Sequence, residues 1–317
     1  MAFSQQQFRS DFLPQVPRAK WDGWFVIGIF PPESEINFLK IQIYHAKLHK
    51  NEHSLASVEG MQDSEAVIMA GTRKNNFLHS VRFSSNDFSE KHDPFNVSAG
   101  DFKITLGTAE VKSKNISCQL GYSMNYRLPW LTLNKILTYV GYHGCMDAEV
   151  TLDGKKIKSK GLGILEHAFG WALKWLSPRA FLRGFWHWDV LSFCGNDGAQ
   201  LEDGVAALCL SPFGGKNLPL RGFGKFPGEN AQNLSGLTVS YLEKTGDGLL
   251  ISPKHWRGTV KSKDGLFHYE AKASTEPVSG IPGGGFMGFT YEGEYKKRGG
   301  TSTLLSGSGF TEFAGLR

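Results

Sequence analysis

Two short stretches of the chain set carboxylates and imidazoles beside large aromatic rings: Glu166-His167 and Trp186-His187-Trp188-Asp189. These residue types suit proton transfer in an aromatic setting. Protonating an olefin needs a carboxylic acid or an imidazolium kept protonated by apolar surroundings. A tryptophan face can then stabilise the carbocation that develops. Glu166, His167 and Asp189 are therefore the candidate catalytic groups. Side chains alternate along a strand, so Trp186 and Trp188 share one face while His187 and Asp189 share the other. Glu166 and His167 diverge in the same way, and only one of them can face a given cavity. Trp186, His187, Trp188 and Trp24, with Tyr142 and His143 from an apolar segment, are the candidate substrate-binding residues. Structural alternatives stand beside each of these. A buried Glu166 could cap backbone N–H groups at a sheet seam, tryptophan is common barrel filling, and Tyr139, Tyr142 and His143 could simply pack a covering loop.

Other chemistries find little support. His45, His49 and His53 recur every four residues, which on a helix would align three imidazoles for a metal. The stretch before them, Phe38–Tyr44, partly alternates as a strand does, so no metal site is expected. Gly215-Lys216-Asn217 lacks the Ser or Thr of a phosphate-binding loop, and no G-x-S-x-G elbow occurs. Gly161-x-Gly163 continues to Glu166 rather than to glycine, which excludes a dinucleotide fingerprint.

The elements that must position these residues read as strands. Glycine is abundant, 38 of 317 residues, and aromatic residues make up 13%. Many short aromatic and β-branched runs bounded by glycine favour barrels or sandwiches. Strands are expected at Trp21–Phe30, Phe38–Tyr44, Ala66–Ala70, Phe102–Leu106 and Ile116–Tyr122. Asp147–Leu152 and Lys155–Lys160 flank Asp153-Gly154, a hairpin turn pair. Strand patterns resume at Phe185–Phe193 and recur to Thr301–Thr311. Residues 1–20 read as a loose lead-in, and Leu128–Tyr142 as a short helix or loop over a barrel mouth. Trp171 and Trp175 lie four apart, a helical spacing, just before Pro178.

The most informative pattern is an internal duplication. Gly161-Leu162-Gly163-Ile164-Leu165-Glu166-His167-Ala168 and Gly307-Ser308-Gly309-Phe310-Thr311-Glu312-Phe313-Ala314 both fit G-x-G-x-x-E-x-A. Each half opens on paired tryptophans, Trp21 and Trp24 in the first, Trp186 and Trp188 in the second. A half that begins on one such strand and ends on the other can pair the two and remove its exposed edges. The expected fold is all-β: two antiparallel barrels over residues 1–170 and 184–317, joined by a short helical connector over 171–183.

These motifs also carry a resemblance. Trp21-Asp22-Gly23-Trp24-Phe25 with Pro31-Pro32 resembles the opening of tocopherol-cyclase-like proteins. Trp186-His187-Trp188-Asp189 with the Gly307–Gly315 ending resembles the carotenoid 1,2-hydratase (hydroxyneurosporene synthase) and AttH group. The resemblance implies lipocalin-like barrels and an apolar isoprenoid- or polyketide-like ligand held near the contact of the two. It implies a cyclase, isomerase or hydratase with no organic cofactor or metal, or else a carrier or sensor of a lipid or pigment.

Charge and targeting narrow the partners. The net charge of +5 is scattered, and Lys296-Lys297-Arg298 is too short a run to suggest nucleic acid. No stretch is long enough for a transmembrane helix, and the polar start lacks a secretory h-region, so a cytoplasmic protein with reduced thiols is expected. The Trp171–Arg183 connector could touch a membrane surface, but packing between the halves suits it better. The oligomeric state is not legible.

Overall fold

The structure, a computed structural model, describes residues 4–14, 20–47, 64–84, 86–133, 137–171, 185–194, 200–211, 218–219, 222–246, 251–281 and 284–314. The connector expected over 171–183 lies outside these, apart from the exposed Trp171. The fold is all-β, two curled antiparallel sheets with very little helix. The chain divides into two compact units: Met1–Gly28, Leu39–Ala70 and Phe77–Leu176 in the first; Ile29–Phe38, Gly71–Asn76 and Ser177–Arg317 in the second.

The first sheet comprises β1 (Trp21–Ile29), β2 (Ile36–Ala46), β3 (Glu65–Thr72), β4 (Asn76–Arg82), β5 (Phe88–His92), β6 (Phe95–Ala99), β7 (Phe102–Thr105), β8 (Thr108–Val111), β9 (Ile116–Leu133), β10 (Leu137–Leu152) and β11 (Lys155–Gly170). Their order is β4-β3-β2-β1-β11-β10-β9-β8-β7-β6-β5. Chain neighbours pair throughout, the first strand joins the last, and the sheet is interrupted once, between β4 and β5. Rings from distant strands meet: Trp24 of β1 stacks on Phe88 of β5 at 6.2 Å, and His79 of β4 on Phe102 of β7 at 5.9 Å. Such contacts require the sheet to curl, with these residues on its concave side. The hairpin at Asp153-Gly154 forms as expected, with Leu152 opposite Lys155 and φ of 48° and 82° at the two turn residues.

The second sheet repeats the design. It comprises β12 (Phe185–Cys194), β13 (Gln200–Ser211), β14 (Leu218–Pro219), β15 (Gly222–Gly224), β16 (Gln232–Leu234), β17 (Leu237–Thr245), β18 (Ser252–Lys261), β19 (Gly265–Ala273), β20 (Val278–Ile281), β21 (Gly284–Lys297) and β22 (Ser302–Ala314). The order is β16-β15-β13-β12-β22-β21-β19-β18-β17, with β14 on β13 and β20 on β21. Again the first strand joins the last, and the interruption falls between β16 and β17. The duplication read from the two glycine motifs is thus a duplication of topology. Its concave side is filled by Phe193, Phe226, Trp256, Phe267, Phe289, Tyr291 and Tyr295, with Phe226 stacked on Tyr295 at 4.0 Å.

The seams explain the glycines. A Cβ on Gly307 would lie 2.0 Å from the Ser192 carbonyl oxygen of β12, and one on Gly309 would lie 2.1 Å from the Phe289 ring. On β11, a strand of the first seam, a Cβ at Gly163 would meet Met146 Cβ and the Cys145 carbonyl of the neighbouring β10 at 3.1 and 3.2 Å. Small residues are required there because backbone or ring comes too close for a side chain.

Two expectations are corrected. The lead-in is not loose: it contains helix α1 (Gln5–Phe12), whose N-cap Ser4 accepts from the Gln7 N–H and whose Phe8, Asp11 and Phe12 are buried. Its glutamine-rich sequence hides a three-residue buried stripe at i, i+3 and i+4. The described residues of Leu128–Tyr142 are neither helix nor cover: 128–133 end β9 and 137–142 open β10, long paired strands with Tyr142 opposite Arg127. Tyr142 and His143 point to opposite faces and both are buried, so the run lost the alternation that marks a half-exposed strand.

Candidate functional site

Each seam buries one histidine against one aspartate. In the second unit both lie on β12, two residues apart and so on one face. His187 Nε2 is 2.8 Å from Asp189 Oδ1, and both side chains are fully buried. β18 and β19 curl over to reach the same carboxylate. Trp256 Nε1 donates to Asp189 Oδ2 at 2.9 Å, and the Tyr269 hydroxyl donates to it at 2.5 Å. On the other side of the ring, His187 Nδ1 is 2.9 Å from the hydroxyl of the half-buried Tyr241 on β17. Thr311 of β22 lies 3.3 Å from His187 Nε2.

Burial by itself would raise the Asp189 carboxyl. The charge and hydrogen bond of His187, with hydrogen bonds from Tyr269 and Thr311, outweigh burial and hold it below its ordinary range. Asp189 is therefore a carboxylate that accepts, and the proton between it and His187 sits on the imidazole. Tyr269 moves the other way: burial and the neighbouring Asp189 push its phenol well above the ordinary value. Tyr269 is a donor to Asp189 and stays one.

In the first unit the pair is split between the two seam strands. His167 of β11 places Nε2 3.0 Å from Asp22 Oδ1 of β1, again with both side chains fully buried. His167 Nδ1 lies 2.7 Å from the backbone carbonyl of Asp11, so Nδ1 carries hydrogen and donates. Trp24 stacks on the imidazole at 5.1 Å with the planes 6° apart, and its Nε1 donates to the Phe12 carbonyl. Tyr142 donates to Asp11 Oδ2 at 2.6 Å. Trp24, Tyr142 and His167 therefore gather around α1.

Glu166 and His167 do diverge. Glu166 is buried on the other face, where Tyr139 donates to it, beside Trp21, Tyr44 and Ala168. His143 is fully buried and takes a 3.0 Å contact from the Tyr126 hydroxyl at Nδ1. Burial pushes its imidazole down to about 3, so it is neutral. Trp188 lies on the face of β12 opposite His187, against Phe310 at 6.2 Å and paired in register with Glu312. The side chain of Trp186 lies outside the described residues, as do His49 and His53. His45 is on β2, and no group of three metal-ligating residues occurs among the described residues.

The structure thus unites His187 with Asp189 and His167 with Trp24 and Tyr142. It sets Glu166, His143 and Trp188 on other faces. Sequence reading missed Asp22, Asp11, Arg127, Tyr241, Trp256, Tyr269 and Thr311. One signal was available: Asp22 in Trp-Asp-Gly-Trp corresponds loosely to Asp189 in Trp-His-Trp-Asp. A concave groove of about 1200 Å3 lies on the solvent-facing side of β18, β19, β21 and β22. Arg257, Glu270, Lys272, Glu292 and Glu294 line it, a poor match for an apolar ligand.

The architecture is that of all-β proteins built from two lipocalin-like sheets, each closed at a seam between its first and last strands. Solved structures agree. The AttH-type protein of Nitrosomonas europaea aligns over 100% of this chain and 98% of its own, with a TM-score of 0.61 and 12% identity. Kievitone hydratase from Nectria haematococca aligns over 96% and 91%, at 0.56 and 12%. CghA with Sch210972 aligns over 94% and 89%, at 0.51 and 11%. The AttH resemblance read from the tryptophan and glycine motifs is borne out as a likeness of fold. No protein-family model matches the chain, and no curated protein matches its sequence. No helix among the described residues is long and apolar enough to cross a membrane.

Proposed function

We propose that this protein is a cofactor-independent enzyme that moves a proton to or from an apolar, unsaturated isoprenoid- or polyketide-like substrate, in a hydration, cyclisation or isomerisation. The observation that carries this reading is the relay Asp189–His187–Tyr241: a buried carboxylate, a buried imidazole and a half-buried phenol in hydrogen-bonding sequence. In its neutral form, with hydrogen on Nε2 alone, His187 accepts the Tyr241 proton at Nδ1, which makes the phenol oxygen a base; the imidazolium so formed is the charged state whose field holds the Asp189 carboxyl low. A proton taken from substrate carbon goes to that oxygen, and the former phenol proton goes to Nδ1. Asp189 stabilises the resulting imidazolium. Reversal at another carbon completes an isomerisation or closes a ring, and delivery to an alkene carbon prepares it for attack by water. Asp189 acts here through His187, while Glu166 with Tyr139 is a second buried carboxylate–phenol pair, without an imidazole between them. The name of one fold relative, a hydratase, supports this class of reaction.

The test is incubation in D2O with a panel of polyenes, terpenoids and unsaturated polyketides, read by mass spectrometry for deuterium or water gained. Conversion should fall by about 100-fold or more in His187→Gln and in Tyr241→Phe. Equal conversion in folded variants would sink the relay. A second reading, a carrier or sensor of a lipid or pigment, rests on the apolar character of the rings on the concave side of the second sheet and needs no acid. A polyene that co-purifies and stays unaltered over time would support it.

A further inference from the structure

The first unit contains a site of another kind. Asp11 is 1% exposed at its side chain, yet it sits on an eight-residue helix whose other polar residues, Gln5, Gln6, Gln7, Arg9 and Ser10, are all exposed. Its carboxylate takes Arg127 Nε at 2.6 Å and Nη2 at 3.3 Å, the Tyr142 hydroxyl at 2.6 Å and Gln7 Nε2 at 2.7 Å. Arg127 comes from β9 and Tyr142 from β10, neighbours in register, so the sheet presents a guanidinium and a phenol side by side. That pairing is built for a carboxylate. On either side of the carboxylate α1 supplies only two rings. Phe8 packs on Tyr142 at 4.6 Å, and Phe12 touches Tyr142, Phe95 and His167 at 5.7 to 6.2 Å. The side chains that hold α1 are thus one anionic group and two apolar ones, while His167 and Trp24 bond to its last two carbonyls.

A helix of eight residues does not persist alone in water, so α1 owes its helical form to its docking. We infer that the concave side of the first unit is a binding site for amphipathic monocarboxylates and that α1 is its built-in occupant. Asp11 stands where the ligand's carboxylate would sit, on Arg127 and Tyr142, and Phe8 and Phe12 stand where its apolar body would lie. A ligand of this class displaces the helix. The site does not depend on the Asp189–His187–Tyr241 relay, which belongs to the other unit.

The probe is cis-parinaric acid, an unsaturated long-chain carboxylate, with its methyl ester as the uncharged control, titrated by fluorescence into the full chain. Asp11→Ala should bind the acid about ten-fold tighter than the wild type, because the tethered competitor is weakened. The ester should gain at most about three-fold, and adding Arg127→Met should abolish the gain for the acid. Equal gains for acid and ester, or no saturable binding by any form, would overturn the inference. A second measurement needs no variant. Saturating acid should speed amide hydrogen exchange across Gln5–Phe12 in the wild type, and unchanged exchange at saturation overturns the inference too.

Discussion

Asp189→Asn tests the centre of the second unit, and its cost can be worked from the contacts. Asp189 accepts from Trp256 and Tyr269 at one oxygen and faces His187 Nε2 with the other. Asparagine can keep its oxygen on Trp256 and Tyr269 and turn its amide toward His187, whose proton then moves to Nδ1. Every group stays paired, and only charge assistance is lost. At about 0.5–1.5 kcal/mol for each of the three bonds, the loss is about 1.5–4.5 kcal/mol. Asp189→Leu instead leaves three buried donors without an acceptor, at about 1–3 kcal/mol each, and should cost clearly more. The assay is guanidinium unfolding followed by near-ultraviolet circular dichroism. Acid gives a second check. The folded carboxyl lies below the ordinary value of 3.8, so its contribution is complete above that value and drains away as pH falls through the lower, folded one. The gap between wild type and Asp189→Asn should hold constant near neutrality and narrow below about pH 4. A leucine variant as stable as the asparagine one, or a gap that widens on acidification, refutes the reasoning.

His143 predicts a loss of stability in the same direction, beginning at higher pH. Its folded value near 3 against an unfolded 6.5 means the unfolded chain takes up a proton first, costing about 2 kcal/mol of stability by pH ~5. His143→Gln, which keeps an acceptor for Tyr126, should flatten denaturation midpoints between those pH values; an unchanged slope would show that His143 is not the group responsible. Gly307→Ala should destabilise by about 2–3 kcal/mol, because its Cβ meets the Ser192 carbonyl. Gly121→Ala, where a Cβ meets nothing within 4 Å, should be near neutral, and equal thermal shifts for the two would count against the seam argument. Cys118 is buried, with its thiol pushed up to about 12, whereas Cys145 is half-buried. Iodoacetamide should label Cys145 and spare Cys118 in the native protein, as peptide mapping can show; comparable labelling of both would contradict the burial.

The sequence by itself determined what is local. Alternation put His187 and Asp189 on one face and sent Glu166 and His167 apart. Asp153-Gly154 set a tight hairpin, and the Gly-x-Gly motifs marked strands that must pass close to backbone or ring. Two copies of one motif announced two copies of one sheet. What the sequence left open depends on register and curl. Asp22 meets His167 across 145 residues, and Tyr241, Trp256 and Tyr269 reach Asp189 and His187 only because β17, β18 and β19 bend over β12. α1 went unseen because its two phenylalanines and one aspartate make no sense as a buried stripe until Arg127 and Tyr142 are set opposite them. A side chain's direction follows from its own backbone, but its partner is chosen by the closing of the whole sheet, and no short window of sequence contains that closure.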